Sequence, residues 1–213
     1  NFGIDLYAYL LLPAATTDSD VVNAIAYLDS QTGATRNPTG DLSSYFRKRA
    51  DLVAPKFSGI DWGGVTNTYY MWGNCSSLTS FPSIDLSNST DFDYTWYNTS
   101  ITSFPKLDLS GSVKFGNTWR NNLNLATFGN CTFSTDADDD INFTDAWRGT
   151  GLTTFPSLDL SRGVTFLRSF EACASMTSFG VPTFSTTASD DLNFQECWKD
   201  CTALTSFPSY LNL

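Results

Sequence analysis

Apolar residues recur along this chain in columns that repeat every 23–28 positions. One column opens a short phrase of the type Leu-Thr-Ser-Phe, and a Phe column follows it three positions later. The opening residues are Leu78, Ile101, Leu125, Leu152, Met176 and Leu204, and the Phe residues are Phe81, Phe104, Phe128, Phe155, Phe179 and Phe207. A period of this length predicts a solenoid, in which each coil buries its apolar side against its neighbours.

Two further aromatic columns occupy the second half of each repeat. The first consists of Phe92, Phe115, Phe143, Phe166 and Phe194. Four positions after these come Trp96, Trp119, Trp147, Phe170 and Trp198, and Trp72 precedes them by one coil. Residues four apart share one face of a helix, so this spacing predicts a short helical turn in each coil. We expect the stacked rings to supply most of the core.

The Leu-Thr-Ser-Phe phrase predicts a short strand that stacks on its copies at about 4.8 Å per coil, in one parallel sheet. Pro105, Gly129, Pro156 and Gly180 follow the phrase, and proline ends a strand because it has no N–H to donate. The predicted fold class is therefore a repeat solenoid of parallel β coils. Two coils are longer in the same place, at 133–143 and 184–194, which predicts surface loops or bulges there.

Thr and Ser occupy the positions between the inward-facing residues of the predicted strands, so we expect them to face solvent in a regular array. We call this array the hydroxyl face; it consists of Thr79, Ser80, Thr102, Ser103, Thr153, Thr154, Thr177 and Ser178. Many hydroxyls and little charge suit a glycan or a flat protein partner. The sequence favours this face as a binding surface. An inert array remains the alternative, in which case binding would fall to the acidic loops or the N-terminal segment.

Residues 1–56 do not fit the repeat, and residues 57–213 do. A capped amphipathic helix is predicted near Val21–Leu28 and a second helix over Asp41–Ala50. We expect 1–56 to be a small, partly helical cap, since solenoids need atypical ends; the alternative is a docking segment. Residues 57–77 form a degenerate first coil, whose Trp62, Tyr69, Tyr70 and Trp72 are predicted to roof the core.

Several columns agree with a known repeat pattern. The sequence reads Cys-x-x-Leu-Thr-Ser-Phe-Pro, then apolar-Asp-Leu-Ser, then an aromatic residue three positions before the next Cys column, which holds Cys75, Cys173 and Cys201. Over about residues 57–213 this resembles BspA-like leucine-rich repeats, although the heavy use of Trp departs from that family. The resemblance implies a leucine-rich-repeat-like solenoid in a surface protein with a role in adhesion. Similar repeats occur in mycoplasma surface lipoproteins and in phage structural proteins.

The composition disfavours several classes of function. The formal net charge is −10, which disfavours a surface that matches nucleic-acid phosphates. The chain has no His, and so lacks the commonest general base and zinc ligand. The five cysteines are expected to be buried and reduced. No apolar run is long enough to span a membrane, and no catalytic or cofactor signature is present. We therefore predict a protein that is not an enzyme and has no cofactor.

Acidic residues form two further groups with a possible role, one as a metal site and one in local turns. Asp136, Asp138, Asp139 and Asp140 form the densest run, and oxygen-rich clusters suit Ca²⁺. The run lacks the glycine and closing Glu of an EF-hand, so a solvated turn is the competing interpretation. Asp85, Asp108 and Asp159 recur at one place in the repeat. We expect each to accept backbone N–H bonds in a local turn.

Together these features favour a non-enzymatic surface module, and among such modules a phage virion protein of the tail-fibre or capsid-surface type that takes part in host attachment. A bacterial cell-surface adhesin and a purely structural spacer or decoration protein are the alternatives. The expected location is the virion surface or the cell exterior. The expected partners are a host surface glycan or protein, or other virion subunits. The sequence ends inside a fresh repeat, so more chain or a second subunit is expected to cover the last coil.

Overall fold

The computed structural model of the chain describes residues 39–50, 52, 61–185 and 192–205. It contains only short strands in these ranges and no helix. The strands are β1 Thr39–Asp41, β2 Gly64–Asn67, β3 Ser103–Phe104, β4 Thr127–Phe128, β5 Ile141–Asn142, β6 Thr154–Phe155, β7 Asp159–Leu160, β8 Gly163–Thr165, β9 Ser178–Phe179 and β10 Thr183–Phe184. They pair in parallel as β1–β2, β3–β4, β5–β8, β6–β9 and β7–β10, so each strand pairs with its counterpart one repeat away.

A continuous backbone ladder joins the repeats through their turn-rich segments, which contain the Phe–Trp pairs. Between one pair of neighbouring repeats, the N–H of Tyr94 donates to the carbonyl of Gly116 at 3.0 Å, and the N–H of Trp96 donates to that of Thr118 at 3.0 Å. Equivalent bonds of 2.7–3.0 Å start from Ser44, Tyr70, Asn117, Asp145 and Arg168. Backbone donors and acceptors on this side are therefore satisfied between neighbouring repeats, as burial requires.

The turns have an unusual backbone. Two residues four positions apart adopt positive φ in each repeat, such as Tyr94 at 59° and Asn98 at 52°. The second of these columns is rich in Asn, Asp and Gly, which tolerate the left-handed region best; it holds Lys48, Asn74, Asn98, Asn121, Gly149, Ala172 and Asp200. The predicted helical turn is wrong, because a left-handed residue between Phe92 and Trp96 is incompatible with an α-helix. The two rings nevertheless stack, with centroids 6.0 Å apart.

Aromatic ladders form the core. Trp119 stacks on Trp96 at 5.8 Å and on Trp147 at 5.2 Å, with interplanar angles of 5° and 9°. Phe104 stacks on Phe81 at 6.1 Å and on Phe128 at 5.2 Å, which confirms the predicted register of the Phe column. The Phe and Trp ladders meet edge to face, an arrangement that aromatic rings prefer over a face-to-face sandwich. These rings are nearly or fully buried.

The predicted single sheet is wrong, and the residue after each Phe explains why. Gly129 donates its N–H to the carbonyl of Phe104 at 2.9 Å, and Gly180 donates in the same way to Phe155 at 2.9 Å. These are the two repeat interfaces at which the phrase forms paired strands, β3–β4 and β6–β9. Pro105 and Pro156 occupy the same position in the alternate repeats and have no N–H for the carbonyls of Phe81 and Phe128. The ladder on this side therefore lacks this one hydrogen bond at every second interface, although Thr102 still donates to Thr79 and Thr153 to Ala126.

A polar column lies inside the stack, in the Cys column of the repeat. The thiol of Cys173 donates to the carbonyl of Trp147 at 3.1 Å, and that of Cys201 donates to Phe170 at 3.0 Å. Asn122 has the same role, donating to the carbonyls of Trp96 at 2.8 Å and Trp119 at 3.0 Å. All five cysteines are free and buried, as predicted. Burial raises the pKa of the Cys131 thiol to about 12, so this cysteine is unreactive at neutral pH.

The repeat pattern of contacts begins earlier than predicted. Residues 41–50, predicted as a helix, form turns that stack on the next repeat. Ser44 donates its N–H to the carbonyl of Tyr69 at 2.7 Å, and Phe46 donates to Met71 at 2.9 Å. The ring of Phe46 stacks on Trp72 at 6.1 Å. The boundary predicted between residues 56 and 57 therefore does not mark the start of this stacking. The helix predicted near Val21–Leu28, the second long loop at 186–191 and the last segment, 206–213, lie outside the described residues.

The first long loop is on the surface, as predicted. Residues 135–138 are exposed, and burial resumes at Ile141. Arg162 from the next repeat anchors the loop by donating to the backbone carbonyls of Ala137 and Asp139. Among the residues described, none belongs to a helix long and apolar enough to cross a membrane.

Candidate binding surfaces

The hydroxyl face lies on the surface. All eight of its Thr and Ser residues are exposed, as the strand alternation predicts. Several of the hydroxyls are already used within the chain. Those of Thr102, Thr153 and Thr177 donate to backbone carbonyls of the preceding repeat at 3.1–3.5 Å. The Ser103 hydroxyl accepts a hydrogen bond from Thr127 at 2.9 Å. Fewer donors therefore remain for a ligand than the sequence indicates.

The acidic run forms a turn. The N–H of Asp138 donates to the carboxylate of Asp136 at 3.1 Å, and the Ser134 hydroxyl donates to Asp139. Within the described part of the chain, no three His, Cys, Asp or Glu side chains are grouped so as to hold a metal ion. The calcium hypothesis for Asp136, Asp138, Asp139 and Asp140 gains no support from this geometry.

The repeated aspartates stabilise turns, as expected. Asp85, Asp108 and Asp159 each accept the backbone N–H of the residue two positions later, at 3.0–3.1 Å. Asp85 also accepts the hydroxyl of Ser87 at 2.7 Å. These two hydrogen bonds, the hydroxyl bond foremost, lower the pKa of Asp85 because they favour its ionised form. The column is structural.

A cluster of tyrosines on the turn-rich side was not anticipated as a surface. Tyr69, Tyr70, Tyr94 and Tyr97, which we call the tyrosine patch, have ring centroids 5.4–6.1 Å apart in a mostly edge-to-face arrangement. Tyr69 is 38% exposed, and the other three are half-buried. The prediction that Tyr69 and Tyr70 roof the core is therefore wrong. Their neighbour Trp72 takes the buried position in their repeat, and the left-handed turn at Tyr70 directs that side chain outward.

Two asparagines position tyrosines of the patch. Asn74 donates its side-chain N–H to the hydroxyl oxygen of Tyr70 at 2.6 Å, and Asn121 donates to that of Tyr97 at 3.4 Å. Both phenols accept these bonds, so each keeps its own O–H to donate outward. Burial raises the pKa of the Tyr94 phenol, with a further contribution from Tyr69. The Tyr94 phenol therefore stays neutral at physiological pH.

A cationic side chain borders the tyrosine patch. The guanidinium of Arg47 lies 4.0 Å from the ring centroid of Tyr70, within range of a cation–π interaction. No carboxylate in the described part of the chain pairs with Arg47. The exposed Lys48 follows it in sequence. The nearby carboxylates are engaged elsewhere: Asp91 pairs with Lys114 at 3.1 Å, and Asp93 accepts the N–H of Gly116 at 2.6 Å.

Further along the same side lies an ion-pair network across three repeats. Buried Asp145 lies 3.2 Å from Arg148, 3.2 Å from Arg168 and 4.0 Å from Arg120. Arg148 also pairs with Glu171 at 3.0 Å. The five residues of this network come from the two columns that supply Tyr70, Tyr94 and Tyr97 nearer the N-terminus. The side therefore changes from aromatic to ionic along the stack.

Asp93 gives a pH-dependent prediction. Burial raises its pKa, although the Gly116 hydrogen bond acts in the opposite direction. A carboxyl group with a raised folded-state pKa binds more protons when folded, so its ionisation lowers stability as the pH rises through that pKa. We expect Asp93→Asn, which retains an oxygen acceptor for Gly116, to be slightly more stable than wild type at pH 7. The difference should shrink as the pH falls below the pKa of Asp93. Urea unfolding at pH 7 and pH 3.5 measures it, and a difference that grows on acidification contradicts the assignment.

The sequence contains a pattern that indicates the outward face of the turn-rich side. Two positions before each Trp of the core column stands Tyr70, Tyr94, Asn117, Asp145 or Glu196. One position after the last four of these Trp residues stands Tyr97, Arg120, Arg148 or Lys199, and Gly73 follows Trp72. Large polar side chains at fixed offsets from a buried column mark an outward face. The hydroxyl face follows from a different regularity, the alternation of inward and outward positions along a strand.

The chain matches no protein-family model, no curated protein and no solved structure. The resemblance to BspA-like leucine-rich repeats therefore stays a prediction that rests on the repeat columns.

Proposed function

We propose that this chain is a non-enzymatic solenoid that works as a surface module, a phage virion protein of the tail-fibre or capsid-surface type that takes part in host attachment. The proposal rests on one observation, the separation of core and surface positions within each repeat. The core positions hold stacked aromatic rings, and the outward positions form faces that recur from one repeat to the next. Such a rod presents an extended surface and suits binding over a wide area.

The chemistry of the described residues fits a binding role better than catalysis. The described carboxylates that carry shifted pKa values hold turns or neighbouring backbone, as Asp85 and Asp93 do. The cysteines lie in the buried polar column or the core. The chain has no His, which is the commonest general base.

The proposal is tested by competition. Purified chain is added to host cells before the phage that encodes it, and unadsorbed phage are counted by plaque assay. We expect the chain to bind the cells and to slow adsorption, and we expect peptides of the chain in mass spectra of purified particles. Absence from the particles together with binding to cells would instead support the adhesin alternative. Presence in the particles without any effect on adsorption would support a structural spacer.

A further inference from the structure

We propose that the tyrosine patch and Arg47 form a binding site for a carboxylated polysaccharide. This inference deepens the proposed function and rests on it, since it assigns the attachment chemistry to one place on the rod. It moves the binding site away from the hydroxyl face, whose donors are partly used within the chain.

The aromatic half of the site suits a sugar ring. A pyranose has an apolar face of C–H groups and a rim of hydroxyls, so its ideal partner combines ring surface with polar groups at the edge. The patch supplies four phenols in adjacent repeats, one of them well exposed. The phenol oxygens of Tyr69 and Tyr94 have no hydrogen-bond partner in the described part of the chain and can bond ring hydroxyls.

The charged half of the site suits a carboxylate. Arg47 is exposed and pairs with no carboxylate among the described residues, and its guanidinium lies over the ring of Tyr70. A planar guanidinium binds a carboxylate through two parallel hydrogen bonds, which adds geometric selectivity. On a chain of net charge −10, this border of Arg47 and Lys48 is a place that an anion can approach.

The size of the patch argues against the competing classes of partner. A stable protein interface needs about 800 Å² on each side, more than four partly covered tyrosines present. Nucleic acid would need several phosphate-neutralising cations, and the chain as a whole repels it. A polysaccharide needs contact over only a few sugar rings, which a patch of this size provides.

Gly73 offers a test that removes no binding group. A methyl group at this position would overlap the ring of Tyr70, which lies across the glycine. Gly73 is not among the residues with positive φ, so the backbone itself accepts alanine. Gly73→Ala should therefore displace Tyr70 and disturb Arg47 above it, while every tyrosine and arginine remains in the chain.

The experiment uses the full chain and four immobilised polymers: polygalacturonate, alginate, hyaluronate and methyl-esterified polygalacturonate. Binding is followed by biolayer interferometry. We expect binding to at least one of the three acidic polymers and none to the methyl ester, which has the same ring without the charge. Arg47→Gln and Tyr69→Ala should each weaken binding about tenfold, the effect of losing one charge-assisted hydrogen bond or ring contact. Gly73→Ala should weaken it as well.

The matched control is Thr102→Tyr with Thr153→Tyr, which blocks the hydroxyl face and should leave binding unchanged. Unfolding midpoints of all variants are measured, so that a folding defect is recognised. Binding to none of the acidic polymers, equal binding to the methyl ester, or loss of binding only in the hydroxyl-face variant would overturn the inference. If the Arg47, Tyr69 and Gly73 variants still slow phage adsorption as wild type does, the attachment function stands and this site does not. If the wild-type chain itself fails to bind cells, the attachment function fails.

Discussion

Replacing Trp119 with alanine is expected to lower the free energy of unfolding by about 3–5 kcal/mol, as large core truncations do. Trp119 is fully buried and lies between Trp96 and Trp147, with Phe104 and Phe128 packed against it edge to face. Removal of the indole leaves a cavity whose neighbours are held by the backbone ladders on both sides, so collapse into the space is limited. Urea denaturation followed by circular dichroism measures the loss.

Two controls separate this cavity from a general effect of substitution. Trp119→Phe should cost clearly less, because Phe170 occupies the same column fully buried and stacks on Trp147 at 5.1 Å. Leu123→Ala changes a side chain that is 73% exposed and should shift stability by less than about 0.5 kcal/mol. An alanine variant as stable as wild type would place Trp119 outside the core and contradict the stacked arrangement.

Asp145→Asn is expected to destabilise the protein by about 2–3 kcal/mol, because it removes the buried carboxylate between three arginines. The side chain of Asp145 is 5% exposed, whereas the arginines are 26–36% exposed, so solvent screens part of the repulsion that remains. Asparagine tolerates the positive φ of 55° at this position, which isolates the loss of charge from backbone strain. Denaturation in low and high salt measures the effect.

Glu196 provides the matched control. It occupies the same left-handed column, with φ at 54°, and pairs with Lys199 at 3.6 Å on the exposed surface. Glu196→Gln should cost at most about 0.5 kcal/mol, as exposed ion pairs do. Equal losses at the two positions would mean that Asp145 contributes no more than an ordinary surface charge.

The sequence was most informative where a physical requirement is periodic. The columns of Phe104 and Trp96 could be predicted because stacked rings must recur at the same position in every repeat. The exposure of Thr102 follows from the alternation of inward and outward side chains along a strand. The left-handed turns could not be predicted from the sequence, because Tyr94 and Arg168 are not residue types that favour positive φ. Only the turn geometry reveals that the Phe–Trp spacing is not helical.

The candidate site was predicted less well than the core. Tyr69 and Tyr70 were interpreted as core aromatics because ring content alone does not distinguish a buried ring from an outward one. Their position relative to Trp72 distinguishes them once the turn is known. Arg47 was not predicted as a site residue, because a helix over Asp41–Ala50 would spread Arg47, Lys48 and Arg49 around its axis and give them no common face with the tyrosines.

The alternation of proline and glycine after the Phe column gives the rod an uneven bending stiffness. On the turn-rich side the hydrogen-bond ladder is continuous across the described interfaces, whereas on the opposite side the interfaces at Pro105 and Pro156 each have one hydrogen bond fewer than the glycine interfaces between them. A load that bends the rod away from the turn-rich side would therefore open it at these two positions first, while the tyrosines of adjacent repeats keep their spacing. The stack therefore bends most easily at the two proline interfaces. Bending there lets the chain fit a curved target without distorting the turn-rich side.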